Sequence, residues 1–399
     1  MRFTRALPSL QFTNSDDTRT WCAVALILSC AHIFCNRLHV LPHPPYAGTV
    51  SKANDGSSVT ATSDIKVGVI GLGSIGTTHA KALRSVPGAH VIAFSGGSPE
   101  TMAECGWPDA ARLSPTDVIA HPDVDVVAIC TPSDSHAALA LQAAQAGRHA
   151  LVEKPIALST QDADALVQAQ DTHGVVIAMV AQRRFEPEAA AIKALLDDGS
   201  LGRVRVASTQ VHWTRDDAYY AAAPWRAAHP GGGSLMNQGV HNVDLLQWLC
   251  GPADEVTAQS ATLAHDMEAE DTTVSTVRFA SGALGTISTT TGAPPGTPAT
   301  LTLHTSLGTV ELGQGEITRW DVPGVTRPEF GDGVTSGASD PAAIGLVGHV
   351  SMWQEVFSAI RDRRPCTVDA HEAAHTVRLL CGIYDAAESG RRVTVGAGS

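Results

Sequence analysis

Residues 65–86 read IKVGVIGLGSIGTTHAKALRSV, which is a short β-branched run, a glycine-rich turn and a helical pattern. The glycines follow the order G-x-G-x-x-G between the run and the helix. In that setting the first glycine turns the chain, the second lets backbone approach a pyrophosphate, and the third lets the helix pack on the strand. The free N–H groups of the helix N-terminus favour a bound anion. The stretch therefore predicts a Rossmann domain with a dinucleotide held by Gly71, Gly73, Ser74, Ile75 and Gly76.

A second strand is expected at residues 90–94, and its end is where such a domain usually carries an acid for the ribose hydroxyls. Here residues 95–98 read SGGS, and the first carboxylate, Glu100, falls in the next helix. The missing acid removes the usual reason for excluding a 2′-phosphate, although no arginine is present to bind one. We expect NAD(P) as the cofactor, with NADP slightly favoured over NAD and Ser95 near the ribose.

Two further apolar runs, residues 124–130 and 149–152, predict buried parallel strands. The second run delivers Glu153 and Lys154 at its carboxyl end. Ligands of an open parallel sheet bind at the carboxyl ends of its strands. A lysine after a buried strand is often only a solvated loop residue, but this position favours a role for Lys154 in the binding site.

From residue 202 onward the pattern changes to alternating strands, and this period of two indicates an open sheet with one covered face. We therefore predict an α/β chain with an N-terminal doubly wound parallel sheet and a C-terminal α/β domain that has a large, open, mostly antiparallel sheet. The expected division is a leader or linker over residues 1–63, a cofactor domain over 64–185 and a substrate and oligomerisation domain over 186–395.

One strong helix, residues 234–249, interrupts these strands after three glycines. Asn237, His241 and Asp244 are spaced i, i+4 and i+7, so they share one face of that helix. Such a polar line faces either water or a cleft. A lone histidine usually has a structural role, but two polar neighbours make a functional site equally plausible at His241.

The composition excludes several classes of protein. A formal net charge of −13 repels the phosphate backbone of nucleic acid. The mean hydropathy of +0.03 is that of a soluble enzyme, so no stable membrane insertion is expected. Eight cysteines without C-x-x-C spacing fit a reduced, cytoplasmic protein.

The leader differs from the rest of the chain. Its apolar run, residues 21–35, is interrupted by polar residues and is shorter than the roughly 20 residues that span a bilayer. We interpret residues 1–63 as lying outside the fold, as an over-long reading of the gene with translation starting near Val50 or Val59. A genuine targeting tail is the alternative.

Five motifs, GLGSIGTTHA, TPSDSH, VEKPIALS, QRRF and GGGSLMNQGVHNVDLLQWLCG, occur in this order and together resemble the glucose-fructose oxidoreductase and inositol dehydrogenase family (Gfo/Idh/MocA). The resemblance covers residues 65–395. It implies a Rossmann domain followed by an open-sheet domain, NAD(P)-dependent oxidation of a sugar or cyclitol hydroxyl, and homodimers or homotetramers formed through the sheet.

The resemblance also implies roles for single residues. Lys154 would hydrogen-bond the reacting hydroxyl, and His241 would accept its proton. Asn237 stands where the family often has aspartate. Its amide can position a substrate hydroxyl but cannot raise the basicity of a histidine by charge, so either Lys154 or His241 could be the base. Asp244 matches a common family residue whose role could be structural. The other residues expected near cofactor or substrate are Thr131, Pro132, His136, Glu153, Gln182, Trp225 and Arg226.

Two other functions compete with this interpretation. His371, Glu372 and His375 fit H-E-x-x-H, the helix of zinc peptidases. However, apolar residues follow at core spacing, so a zinc hydrolase is a remote alternative and we expect no metal. A catalytically silent NAD(P)- or sugar-binding protein is the nearer alternative, because Asn237 and the missing ribose acid depart from the family pattern.

Overall fold

The computed structural model describes residues 64–330 and 346–396 of the chain. The interpretation of residues 1–63 as a leader therefore lies outside the described residues, as does most of the loop expected after residue 321.

Strands and helices of the described residues follow the order expected for a doubly wound domain and then for a sheet domain. The strands are β1 (Ile65–Ile70), β2 (Ala89–Ser95), β3 (Ala111–Arg112), β4 (Val126–Ile129), β5 (His149–Val152), β6 (Ile177–Met179), β7 (Val204–His212), β8 (Ala253–Ala261), β9 (Thr272–Phe279), β10 (Leu284–Thr290), β11 (Thr300–Thr305), β12 (Thr309–Leu312), β13 (Ile317–Asp321) and β14 (Val393–Thr394). The α-helices are α1 (Ser74–Leu83), α2 (Pro99–Glu104), α3 (Pro115–Ala120), α4 (His136–Gln145), α5 (Thr160–His173), α6 (Pro187–Asp197), α7 (Asp217–Ala221), α8 (Val240–Cys250), α9 (Val347–Asp362) and α10 (Ala370–Ser389).

The first sheet is parallel throughout and has the strand order β3-β2-β1-β4-β5-β6. The order reverses between β1 and β4, and ligands of such sheets bind at the carboxyl ends of the strands beside this reversal. The predicted doubly wound sheet is confirmed. Strand β3 was not predicted, because its two exposed residues carry no apolar pattern.

The second sheet has eight strands in the order β13-β12-β11-β7-β10-β9-β8-β14. All of its neighbours are antiparallel except β7 and β10, so the sheet is mixed and mostly antiparallel, as expected. Helices α8 and α10 cover one face, where Val243 and Leu380 join the buried cluster of Val277 and Ile287. The sequence analysis missed β13, which has only one buried residue.

Helix α9 lies late in the chain but packs against α1 of the first domain. Its residues Met352, Trp353 and Val356 belong to the same buried cluster as Leu83 and Phe94. A segment from beyond the second sheet therefore completes the core of the first sheet. The boundary drawn between residues 185 and 186 remains a prediction.

The helix predicted for residues 234–249 begins as a π-helical turn, Ser234–Gly239, and becomes α-helical only from Val240. The Glu270 carboxylate accepts the backbone N–H of Leu235 at 2.8 Å and the hydroxyl of Ser234. The Glu270 carboxylate thus satisfies one N–H group in the first turn of the helix. Local sequence could not reveal this turn, because Glu270 lies 35 residues from Leu235.

Candidate active site

The glycine loop connects β1 to α1 at the strand-order reversal. Gly71 has a φ of 95°, which favours glycine, and a Cβ on Gly76 would lie 2.0 Å from the Gly71 carbonyl oxygen. A Cβ on Gly73 would meet no atom within 4 Å, so this side of the loop is open to a ligand. The first turn of α1 has neither a side-chain cap nor an acidic residue. These features fit the pyrophosphate of a dinucleotide.

The tip of β2 is where an acid for the ribose would stand. Strand β2 ends at Ser95, and Gly96 and Gly97 follow with φ values of 77° and 58°. Ser98 then caps α2 by accepting the N–H of Thr101. Glu100 is fully exposed, and a hydrogen bond from Ser98 lowers its pKa. The tip itself therefore carries hydroxyl and backbone groups and no carboxylate.

His136 connects the loops that follow β4 and β5. Its Nδ1 lies 2.8 Å from the carbonyl oxygen of Pro155, and its Nε2 lies 2.8 Å from that of Thr131. The ring is buried against both loops. His136 thus holds the two loops together at the carboxyl edge of the first sheet, and the Thr131-Pro132 backbone forms part of that edge.

Lys154 joins the two domains. Its Nζ donates to the backbone carbonyl of Asn237 at 2.9 Å and lies 3.4 Å from Asn237 Oδ1. Asn237 belongs to the π-helical turn, and π turns occur frequently at functional sites. The lysine of the parallel sheet and the polar helix of the second domain, which the sequence predicted separately, therefore meet at one place.

Burial and neighbouring charges tune both candidate proton carriers. Burial lowers the pKa of Lys154, the Glu153 carboxylate opposes that shift, and the Arg226 guanidinium adds to it. Burial and the positive charge of Lys154 hold the pKa of His241 well below its usual value. His241 is therefore neutral at neutral pH and has a lone pair that can accept a proton.

Three further residues predicted near cofactor or substrate, Trp225, Arg226 and Gln182, have different surroundings. The Arg226 guanidinium lies 4.1 Å from the ring centroid of Tyr219 and donates to the Tyr219 carbonyl, and its charge reaches Lys154. Trp225 is partly exposed and lies with Arg226 in a short 3₁₀-helical turn, Pro224–Arg226. Gln182 is buried, and its Oε1 has no hydrogen-bond partner within residues 64–330 and 346–396. An unpaired buried oxygen of this kind is a candidate contact for a bound ligand.

Asp244 does not share the polar face expected for it. Its carboxylate accepts two hydrogen bonds from Arg184, at 2.7 and 2.8 Å, and a third from the Thr376 hydroxyl. The Asp244 side chain therefore faces Arg184 and α10, whereas the Asn237 side chain lies near Lys154. Asp244 is part of a buried ion pair that joins α8 to the QRRF segment and α10.

The residues of the H-E-x-x-H motif take part in other contacts. Glu372 forms an ion pair with Arg184 at 2.7 Å, and His371 Nε2 lies 2.9 Å from an Asp171 oxygen. Burial lowers the pKa of His375. The motif thus ties α10 to the first domain, and its residues do not converge on a common point as zinc ligands would.

The residues that hold the Glu153 carboxylate were not predicted from the sequence. His79 Nε2 lies 3.0 Å from Glu153 Oε1, and Trp353 and His349 of α9 pack against His79. His79 stands in the quoted GTTH segment, so a signal existed for it. No local pattern could connect it with residues more than 250 positions away.

The glycine loop lies at the reversal of a parallel sheet, and a lysine at the end of another strand of that sheet meets the helix of a second sheet domain. This arrangement defines a two-domain nucleotide-dependent oxidoreductase. Residues 65–182 match the family described as oxidoreductase family, NAD-binding Rossmann fold, and residues 189–311 match the GFO/IDH/MocA C-terminal domain. The chain belongs to the Gfo/Idh/MocA oxidoreductase family.

Relatives and solved structures agree with this assignment. Inositol 2-dehydrogenase 2 of Paenarthrobacter aurescens is 30% identical over 290 residues, which cover 67% of this chain and 83% of that protein. Myo-inositol 2-dehydrogenase of Thermotoga maritima is 29% identical over 231 residues, covering 56% and 67%. The WlbA dehydrogenase from Bordetella pertussis, solved with NADH and UDP-GlcNAcA, superposes with a TM-score of 0.73 at 32% identity, covering 83% of this chain and 98% of that one. Within the described residues, no helix is long and apolar enough to cross a membrane.

Proposed function

We propose that this oxidoreductase is an NAD(P)-dependent dehydrogenase that transfers a hydride between the nicotinamide and a hydroxyl or carbonyl group of a sugar, cyclitol or sugar derivative. The observation that carries the proposal is the meeting of Lys154 with Asn237, one helical turn from the neutral imidazole of His241. The names of the relatives, which include inositol dehydrogenases, support the same substrate class.

Lys154 has the donors that the reaction needs. An ammonium group has three N–H donors, and the Asn237 carbonyl at 2.9 Å takes one of them. A donor that remains can hydrogen-bond the substrate oxygen and stabilise the charge that develops on it. The bound cofactor supplies the hydride acceptor for oxidation. Lys154 would therefore orient the substrate and stabilise the alkoxide.

We assign the role of base to His241. A group that accepts a proton must be unprotonated at the working pH, and burial together with Lys154 keeps this imidazole neutral. Asn237 holds Lys154 through its backbone carbonyl, so this contact does not require the aspartate that the family often has. Trp225, Arg226 and Gln182 are proposed to contact substrate or cofactor. The charge of Arg226 reaches Lys154, Trp225 lies in the same short turn as Arg226, and the buried Oε1 of Gln182 has no partner within residues 64–330 and 346–396.

The test is an absorbance assay of cofactor reduction with purified protein. The panel should contain cyclitols, neutral sugars and a UDP-linked uronic acid, each with NAD and with NADP. We expect turnover of at least one compound. Calorimetric binding of the cofactor without turnover of any compound would favour the silent binding protein instead.

A further inference from the structure

We propose that Trp353 and His79 are positioning residues that hold the buried Glu153 carboxylate beside Lys154 and thereby set the charge state in which the lysine works. The proposal deepens the proposed function, because it concerns the same lysine. His79 stands in the first of the quoted motifs without a role assigned to it, and Trp353 lies outside all five motifs. It rests on a chain of hydrogen bonds from α9 to the end of β5.

The direction of each hydrogen bond in this chain can be deduced. An indole N–H only donates, so Trp353 Nε1 donates to His79 Nδ1, at 3.0 Å. The proton of the neutral ring must then be on Nε2, which donates to Glu153 Oε1 at 3.0 Å. The other oxygen, Glu153 Oε2, accepts the backbone N–H of Lys154 at 3.0 Å. Trp353 thus selects the His79 tautomer that can hold the carboxylate.

A metal ion is the competing explanation of the same cluster. Ligand atoms of His79, Glu153 and His349 lie within 4.8 Å of one another. A histidine that ligates a metal normally donates its other ring N–H to an acceptor. Here that other nitrogen, Nδ1, faces the Trp353 donor, so a metal on Nε2 would leave the ring without any proton. The donor set therefore favours a hydrogen-bonded carboxylate over a metal site.

Several charged or titratable groups face Glu153 and keep it ionised. Burial alone would raise its pKa, but the hydrogen bond from His79 and the charges of Lys154 and His349 bring the pKa to about 2. The buried thiol of Cys130 faces the same carboxylate, and burial followed by Glu153 raises the thiol pKa well above its usual value. Glu153 therefore carries a full negative charge across the working pH range.

That charge acts directly on Lys154. The lysine is half-buried, and Arg226 and His241 also face it. Burial and Arg226 favour the neutral amine, while Glu153 favours the ammonium. A carboxylate that loses its His79 partner rotates or takes up a proton, and the lysine then loses its nearest anion. The ionisation of Lys154 should move to lower pH as a result.

The test uses three variants and two kinds of measurement. His79→Gln keeps an N–H donor near the Nε2 position, whereas His79→Leu removes it at similar volume. Trp353→Phe keeps the aromatic packing and removes only the indole donor. The first measurement is nitrogen NMR of histidine-labelled protein with cofactor bound, which reports the ring tautomer without any need for a substrate. The second is the pH dependence of kcat with the best compound of the panel.

We expect wild-type His79 to show the Nε2–H tautomer and Trp353→Phe to populate the Nδ1–H form. His79→Leu should lower kcat by about tenfold or more, and move the ionisation of Lys154 down by about one pH unit. His79→Gln should restore both values to near those of the wild type, with an unchanged Kd for the cofactor.

An Nδ1–H tautomer in the wild type would overturn the proposal, because His79 could not then donate to Glu153. An unmoved ionisation in a folded His79→Leu protein would show that His79 only supports the fold. Stoichiometric metal that is lost in His79→Leu would establish the metal site instead. If the panel yields no turnover, the proposed function fails, while the NMR measurement still decides the positioning role.

Discussion

At the scale of single residues, Asn237 acts on Lys154 more directly than on His241. In the family pattern an aspartate four residues before His241 would act on the histidine, but Asn237 Oδ1 lies 3.4 Å from the lysine ammonium. The backbone carbonyl of the same residue is the closer acceptor, at 2.9 Å. This difference arises because the π turn, which the sequence does not reveal, presents both oxygens to the first domain.

Asn237→Asp should therefore raise the pKa of Lys154, because it brings a carboxylate to the ammonium group. The ionisation of the lysine in the pH profile of kcat should move upward, since a raised pKa keeps the ammonium protonated to higher pH. His241 should follow in the same direction to a smaller extent. Asn237→Ala is the control, because it retains the backbone carbonyl. Equal profiles for the two variants would contradict this account of Asn237.

At the scale of elements, the glycine loop can be separated into a folding part and a binding part. A Cβ at Gly76 would collide with the Gly71 carbonyl oxygen, whereas a Cβ at Gly73 would meet no protein atom and the φ of −85° there suits alanine. Gly73→Ala should leave the melting temperature unchanged but weaken cofactor binding, raising the Kd by about tenfold or more. Gly76→Ala should lower the melting temperature and also weaken cofactor binding. A Gly73→Ala protein that binds cofactor normally would place the pyrophosphate elsewhere.

The loop after β2 governs the choice between NAD and NADP. Its tip, residues 95–98, offers no carboxylate to repel a 2′-phosphate and no arginine to bind one. We expect the Kd values of the two cofactors to lie within about tenfold of each other, or about 1.4 kcal/mol. Calorimetric titration of both measures this difference. A hundredfold preference for NAD would mean that an acid outside the tip, such as Glu100, reaches the ribose.

Elements whose signal is local could be predicted from the sequence, and elements defined by distant partners could not. The strand, glycine turn and helix around Gly71 follow from adjacent residues, as do the strands that end at Lys154. In the π turn, the N–H of Leu235 donates to Glu270, 35 residues away. His79, which contacts Glu153, accepts a hydrogen bond from Trp353, 274 residues away. Such contacts have no periodic pattern that a single sequence can display.

At the scale of the whole molecule, the face of the second sheet that carries exposed apolar residues is the expected site of self-association. Val206 and Leu284 are neighbours across β7 and β10, 46% and 49% exposed, and Val274 of β9 is 53% exposed on the same face. Open sheet faces with apolar residues tend to be covered by another protein surface. We therefore propose a homodimer or homotetramer formed through this face.

The combined variant Val206→Glu and Leu284→Glu should lower the molar mass measured by light scattering, because like charges would face each other across the interface. Leu263→Glu is the control, since Leu263 is 73% exposed but lies outside the strands. Unchanged assembly in the combined variant, or a monomeric wild type, would refute the sheet interface.

We propose that Lys154 serves hydride transfer and not cofactor binding, and a single-turnover measurement of Lys154→Met distinguishes these two roles. This substitution keeps the apolar stem and removes the ammonium. Lys66→Met is the control, because the Lys66 ammonium group forms an exposed ion pair with Asp123. In Lys154→Met the rate of cofactor reduction should fall by roughly two to four powers of ten, with little change in cofactor Kd. A near-normal rate in Lys154→Met, with the cofactor bound as in the wild type, would contradict it.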